Sequence, residues 1–242
     1  MTTSSFPGGT SLSHLDIYDD VTVDGACGGS PHMHLVSTEA YLVVGGRGAL
    51  QTIDRDGFRE TPLEPGSVVW FTPGTIHRAV NTGGLRVFVL MSNAGLPEAG
   101  DAVMTFPAEV VGDPAAYGEA ASLGRGDGPA ARAARRRDLA VTGFERLRAA
   151  AVAGDMAPLH EFYELAGALV RSRAAGWGSI VREGALAEAE RSLTLTEATA
   201  RGELTHLRDG RVHVAPAASG ERAFGMCGRI RAYDVTDQEN PR

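Results

Sequence analysis

His32, His34, Glu39 and His77 are the residue types that bind divalent transition metals: imidazole nitrogens and a carboxylate oxygen. Side chains two apart on a strand share a face, so His32 and His34 can grip one ion while Met33 points away. A polar break at Ser37-Thr38 lets the chain bend and bring Glu39 back to the imidazole pair. Three imidazoles and one carboxylate leave one or two coordination positions open to water or to a chelating substrate. Any one of these histidines alone would pass for a satisfied polar residue; the set, at this spacing, does not.

The elements that must position them read as short strands. Residues 39–44 are rich in β-branched and aromatic side chains and end at Gly45-Gly46. A second strand lies between Pro65-Gly66 and Pro73-Gly74, and His77 opens a short return strand. Residues 49–54 and 58–63 form a hairpin around Arg55-Asp56-Gly57, and residues 86–91 supply a closing strand. A loose arm, residues 1–13, precedes first strands at 14–18 and 21–23. The pattern is mainly β, a jelly roll or small barrel with the ligands inside.

Past the Gly- and Pro-containing loop 93–100 and Phe106-Pro107, composition shifts to alanine, arginine and glutamate. Leu139, Phe144 and Leu147 mark one helix, residues 157–173 a second, and residues 180–201 a third that is interrupted near Leu193-Thr194. Residues 124–129 separate the helices from the barrel, and the tail holds strands at 211–215 and 229–235. The partition is a β-barrel with its N-terminal arm over 1–112 and a mainly α-helical C-terminal extension over 113–242. The amphipathic helices need a surface to bury, either as a lid on the barrel or in a homodimer.

The spacing of His32, His34, Glu39 and Gly46, and of Gly66, Thr72, Gly74, His77 and Asn81, resembles the two signature motifs of the cupin superfamily. Two positions depart from the pattern: Ala26 stands where a glycine is usual, and Thr72 where a proline is usual, with Pro73 one place later. Neither is a ligand. The resemblance covers roughly residues 25–105 and implies a cupin jelly roll whose three histidines and Glu39 ligate the metal. It also implies that Glu39 is either a permanent ligand or one that swings off to accept a proton from substrate. Tyr41 follows Glu39 on the same face and is a candidate proton or hydrogen-bond donor, or simply a core aromatic. Thr72 and Asn81 are placed at the mouth, with Asn81 better suited to a turn, and Arg78 faces outward.

Composition narrows the chemistry. All 23 basic residues are arginine, so Schiff-base, pyridoxal-phosphate and Walker-type lysine mechanisms are excluded. Residues 1–112 hold 5 arginines against 12 acidic residues, which disfavours nucleic acid and polyanionic substrates. The run Arg132, Arg135, Arg136, Arg137 reads as a solvated helix face. Cys27 and Cys227 suggest neither a disulfide framework nor a thiolate metal site, and Met226-Cys227 reads as buried filler. His160, His206 and His213 fall at no ligand spacing. No leader or membrane-spanning run is read, so a cytoplasmic setting is expected.

Three functions follow from a centre that takes Fe, Mn, Ni, Zn, Co or Cu. The first is a dioxygenase-type oxidoreductase acting on a small polar metabolite. The second is a sugar or sugar-phosphate isomerase or epimerase in which Glu39 or Tyr41 moves a proton, after a likeness of residues 38–41 and 65–81 to the cupin-type phosphoglucose isomerases. The third is a non-catalytic metal or ligand sensor. The expected partners are a small-molecule substrate and a second copy of the chain, with no nucleic acid and no membrane.

Overall fold

The computed structural model describes residues 6–124, 128–215 and 220–235. Met1 to Ser5 of the expected arm, and residues 125–127 of the expected separator, lie outside them. The spine is two 16-residue strands, β3 (Glu39–Asp54) and β6 (Ile76–Met91). They run antiparallel from Glu39 opposite Met91 to Ile53 opposite Ile76. Along the first half of β3, Glu39, Tyr41 and Val43 are buried and Leu42 and Val44 exposed, the period-two pattern of a sheet with one wet face.

Two expected strand ends are absent. The strand predicted to stop at Gly45-Gly46 continues, and the short return strand at His77 is one element with the closing strand at 86–91. The glycines bend the strand instead of ending it. Register shifts fall between Val43 and Gly48, and Gly46 sits at φ +70°, where an added Cβ would lie 2.1 Å from the Gly84 carbonyl oxygen.

β1 (Ser11–Ile17) pairs with β6 on one edge and with β9 (Gly228–Ala232) on the other, and β8 (Ala223–Phe224) pairs with β9. β4 (Gly57–Leu63) and β5 (Val68–Phe71) both pair with β3. β2 (His32–His34) joins β6 through His32 opposite His77, and pairs with β7 (Ala102–Met104). The sheet therefore draws β8 and β9 from far beyond residue 112. Residues 11–13 of the expected arm are strand. The expected strand at 21–23 is a loop with a single bridge from Val21 to Cys27, and residues 211–215, exposed except for the half-buried Ala215, pair with nothing in the sheet. β7 was not expected.

Helices begin where the composition shifts, past Pro107, and ahead of the expected separator at 124–129, with α1 (Ala108–Val111) and α2 (Pro114–Ala121). α2 is capped by Asp113, which accepts from the N–H groups of Ala115 and Ala116. α3 (Pro129–Val152) and α4 (Ala157–Ala174) follow, then α5 (Trp177–Val181), a wider turn over Arg182–Leu186, and α6 (Ala187–Ala200). The expected break near Leu193-Thr194 is therefore displaced to 182–186.

Two apolar clusters organise the molecule. One fills the roll, with Leu15, Tyr41, Val43, Leu50, Leu63, Phe71, Val87, Val89 and Cys227. The other joins the back of the roll to the helices, with Met33, Ile53, Ile76, Val103 and Phe106 against Phe144, Phe162, Leu169 and Trp177. α3 lies close on the roll because residue 143 is glycine: a Cβ there would meet the Thr105 carbonyl oxygen at 2.0 Å. Thr105 Oγ1 donates to the Ala140 carbonyl at 2.9 Å. The arginine run is not the solvated face expected of it. Arg136 and Arg137 are buried, Arg137 pairing with Asp20 at 3.3 Å and stacking 4.5 Å from the Tyr18 ring centroid. Their long stems supply apolar contact where α3 meets the roll.

Candidate metal centre

His32, His34, Glu39 and His77 come together in the roll, all buried, with one ligand atom from each lying within 4.8 Å of the others. β2 supplies the first two at strand spacing, β3 begins at Glu39, and β6 sets His77 directly opposite His32. His32 Nε2 and His77 Nε2 are 3.1 Å apart. Glu39 Oε2 is 3.1 Å from His34 Nε2 and 3.2 Å from His77 Nε2.

The outward nitrogens set the tautomers. His32 Nδ1 faces the Ser30 carbonyl at 3.0 Å, His77 Nδ1 the Thr75 carbonyl at 3.2 Å, and His34 Nδ1 the Asp101 carboxylate at 3.3 Å. A carbonyl only accepts, so Nδ1 of His32 and of His77 carries a proton and donates, which turns both Nε2 atoms inward toward Glu39 and toward each other. Glu39 Oε2 is buried and accepts no hydrogen bond of good geometry, despite its two imidazole neighbours. A divalent cation among these atoms satisfies all of them, so the donor set fits the metal on its own geometry.

Electrostatics agree. Burial, then the neighbouring His77 and His34, push His32 well below the usual histidine range, so it is neutral. Burial acts to raise Glu39, but His77 and His34 outweigh it and hold the carboxyl well below its usual range. Burial likewise works against charge on His34, yet the carboxylates of Asp101 and Glu39 raise it to about 9.

Tyr41 is fully buried behind the ligands. Its hydroxyl meets Cys227 Sγ at 3.4 Å, its ring is edge-on to His77, and burial followed by Cys227 and Glu39 raises its pKa well above the ordinary value. It does not line the cavity in front of the centre, so the position suits support of the site better than direct proton donation to a ligand. Phe71 packs on His77 with ring centroids 4.1 Å apart. Asn81 serves the backbone: Nδ2 donates to the Ile17 carbonyl, and Oδ1 accepts from the N–H groups of Gly83 and Leu85. Thr72 is exposed in a different groove, beside Trp70 and Thr75. Arg78 alternates away from His77 as expected but is not at the surface; it is covered by the 22–26 loop and bound to Asp24 and Thr22.

The centre opens on a cavity of about 320 Å³, lined on one side by His32, His34 and Glu39 and on the others by Leu15, Val89, Met91, Met226, Ile230 and Arg136. Sequence reasoning missed Asp101, Arg136 and Cys227. None lies at a fixed spacing from a ligand, and the arginine run pointed to solvent.

The family model for the cupin domain matches residues 20–92, the stretch that carries all four converging residues. Residues 20–92 are a cupin domain. No curated protein matches the chain in sequence. Among solved structures, a protein with a double-stranded β-helix domain from Klebsiella pneumoniae aligns at 17% identity and a TM-score of 0.25, covering 34% of this chain and 62% of that one. DMSP lyases align at 24% identity and 0.29, covering 39% and 42%. An oxalate oxidase in complex with the substrate analogue glycolate aligns at 16% and 0.25, covering 36% and 51%. The match spans less than two thirds of each of these proteins. At such scores they carry no argument about activity, and the cupin assignment rests on the family model. Among the described residues no helix is long and apolar enough to cross a membrane.

Proposed function

We propose that the protein is a metal-dependent oxidoreductase of the dioxygenase type, acting on a small metabolite held at the His32, His34, Glu39, His77 centre. The observation that carries the reading is the combination of four converging donors with a mostly apolar cavity that three of them, His32, His34 and Glu39, line. Bound there, a redox-active divalent metal supplies the electron-transfer chemistry that lets dioxygen react with a chelated substrate.

The residues of the chain do the rest. His32 and His77, with Nδ1 held by backbone carbonyls, present their Nε2 atoms to the centre in a fixed orientation. Glu39 stays ionised and balances charge. Leu15, Val89, Met91 and Ile230 exclude water from the cavity wall. Proton-transfer isomerisation is less well served: Tyr41 stands behind the ligands, and Glu39, held ionised, is a weak base.

The test begins with metal content of protein purified without added metal or nickel affinity, followed by oxygen uptake on a panel of small metabolites with Fe(II)-loaded and Zn(II)-loaded protein. Oxygen uptake that requires the iron form supports the reading. Turnover retained with zinc and without oxygen use replaces it with isomerisation. Ligand-dependent stabilisation without any turnover replaces it with a sensor.

A further inference from the structure

Arg136 is the residue that the metal centre alone does not explain. It lies on α3, is only 8% exposed, and lines the same cavity as His32, His34 and Glu39. Its hydrogen bonds go to two backbone carbonyls, Gly225 at 2.6 Å and Ala121 at 3.4 Å, and its Nε is buried with no partner. The neighbouring Arg137 has Asp20, and Arg78 has Asp24; among the described residues no carboxylate forms an ion pair with Arg136. Carbonyl dipoles do not cancel a full charge, and a guanidinium out of water without a counter-ion is costly. Glu98, the acidic residue lining the cavity besides Glu39, is exposed.

The geometry points to a substrate that is a small organic carboxylate, its anionic end paired with Arg136 and its other polar atoms toward the metal centre. This rests on the proposed metal centre. The guanidinium fork matches a carboxylate in shape and charge. The cavity volume of about 320 Å³ sits at the small end of ligand sites and is mostly apolar, which suits a compact monoanion. A phosphate dianion fits less well, because one buried arginine meets it inside a barrel region with 5 arginines and 12 acidic residues. Arg136 is then a substrate-binding residue supplied by the helices, so the region outside the cupin domain contributes to specificity.

The experiment is calorimetric titration of zinc-loaded protein with lactate, with the neutral isostere lactamide and with inorganic phosphate, on the wild type and on Arg136→Gln and Arg136→Lys. Expected are lactate binding at least about 10-fold tighter than lactamide or phosphate, loss of that preference in Arg136→Gln with zinc affinity unchanged, and partial recovery in Arg136→Lys. Equal binding of lactate and lactamide by the wild type, a preference for phosphate, or a lactate preference that survives Arg136→Gln overturns the inference while leaving the metal centre standing. Failure of the wild type to take up zinc at all sinks the metal centre itself. In that case the same lactate-to-lactamide comparison on metal-free protein still decides the role of Arg136. Should Arg136→Gln not fold, since it also gives up the Gly225 and Ala121 contacts, the Arg136→Lys variant and the wild-type comparison decide.

Discussion

Asp101 Oδ2 lies 3.3 Å from His34 Nδ1 across 67 residues of sequence, and the same carboxylate gathers the backbone N–H groups of Leu35, Val36 and Ser37 at 2.8–3.0 Å. One buried side chain thus orients a ligand and shapes the turn that carries the chain from β2 to Glu39. Replacing it by asparagine keeps the size but loses the charge and part of the accepting capacity. Asp101→Asn is expected to weaken zinc binding by about 10- to 100-fold, measured by competition with a chelator. An unchanged affinity would mean that His34 needs no such partner.

Metal uptake is expected to release a proton. In the metal-free protein His34 is raised to about 9 by Asp101 and Glu39, so it is an imidazolium at neutral pH, and a metal must displace its Nε2 proton. Affinity should rise with pH up to about 9 and flatten above it. Titration at pH 7 in buffers of different ionisation enthalpy is expected to show about one proton released per ion; no release would place the proton elsewhere.

Arg78 is fully buried and its charge is answered by Asp24. Burial acts to raise the Asp24 carboxyl, but Arg78 and Thr22 dominate and lower it from 3.8 to about 2. The folded pKa is depressed, so the stabilisation is present above about 4 and disappears as pH falls towards 2. Asp24→Asn is expected to cost about 3 kcal/mol at pH 7 by leaving a buried cation uncompensated. Denaturant unfolding from pH 7 down to 2.5 should show the gap between wild type and variant narrowing only at the acid end.

Gly143→Ala tests the seat of α3. The new methyl group collides with the Thr105 carbonyl, a backbone group that cannot swing aside, so the helix must lift. A loss of about 2–3 kcal/mol is expected in denaturant unfolding. Because Arg136 rides on the same helix, the lactate preference should weaken in this variant while zinc binding does not.

Much of the centre was legible from residue order. His32 and His34 share a face because strands alternate, and the glycines and prolines around residues 45–46, 65–66 and 73–74 marked the turns and bends of the roll. Strand lengths were not legible: Gly46 reads as an end, yet in the sheet it is a bulge, since the partner strand at Gly84 decides whether the chain stops or bends. β9 falls within the strand expected at 229–235, but β7 is three residues long and carries little pattern of its own; it forms because β2 offers it an open edge.

The order of residues by itself determined the four candidate ligands, the β-rich stretch that holds them and the absence of lysine chemistry, because these depend on residue type and on spacing within one or two strands. The tertiary structure decided what surrounds them: Asp101 behind His34, Cys227 against Tyr41, and Arg136 buried at the cavity wall instead of exposed on a helix. Those relationships join residues 67 or more apart, and local periodicity holds no information about which distant side chain will be packed against which. Only the closing of the roll and the seating of α3 on it bring them into contact.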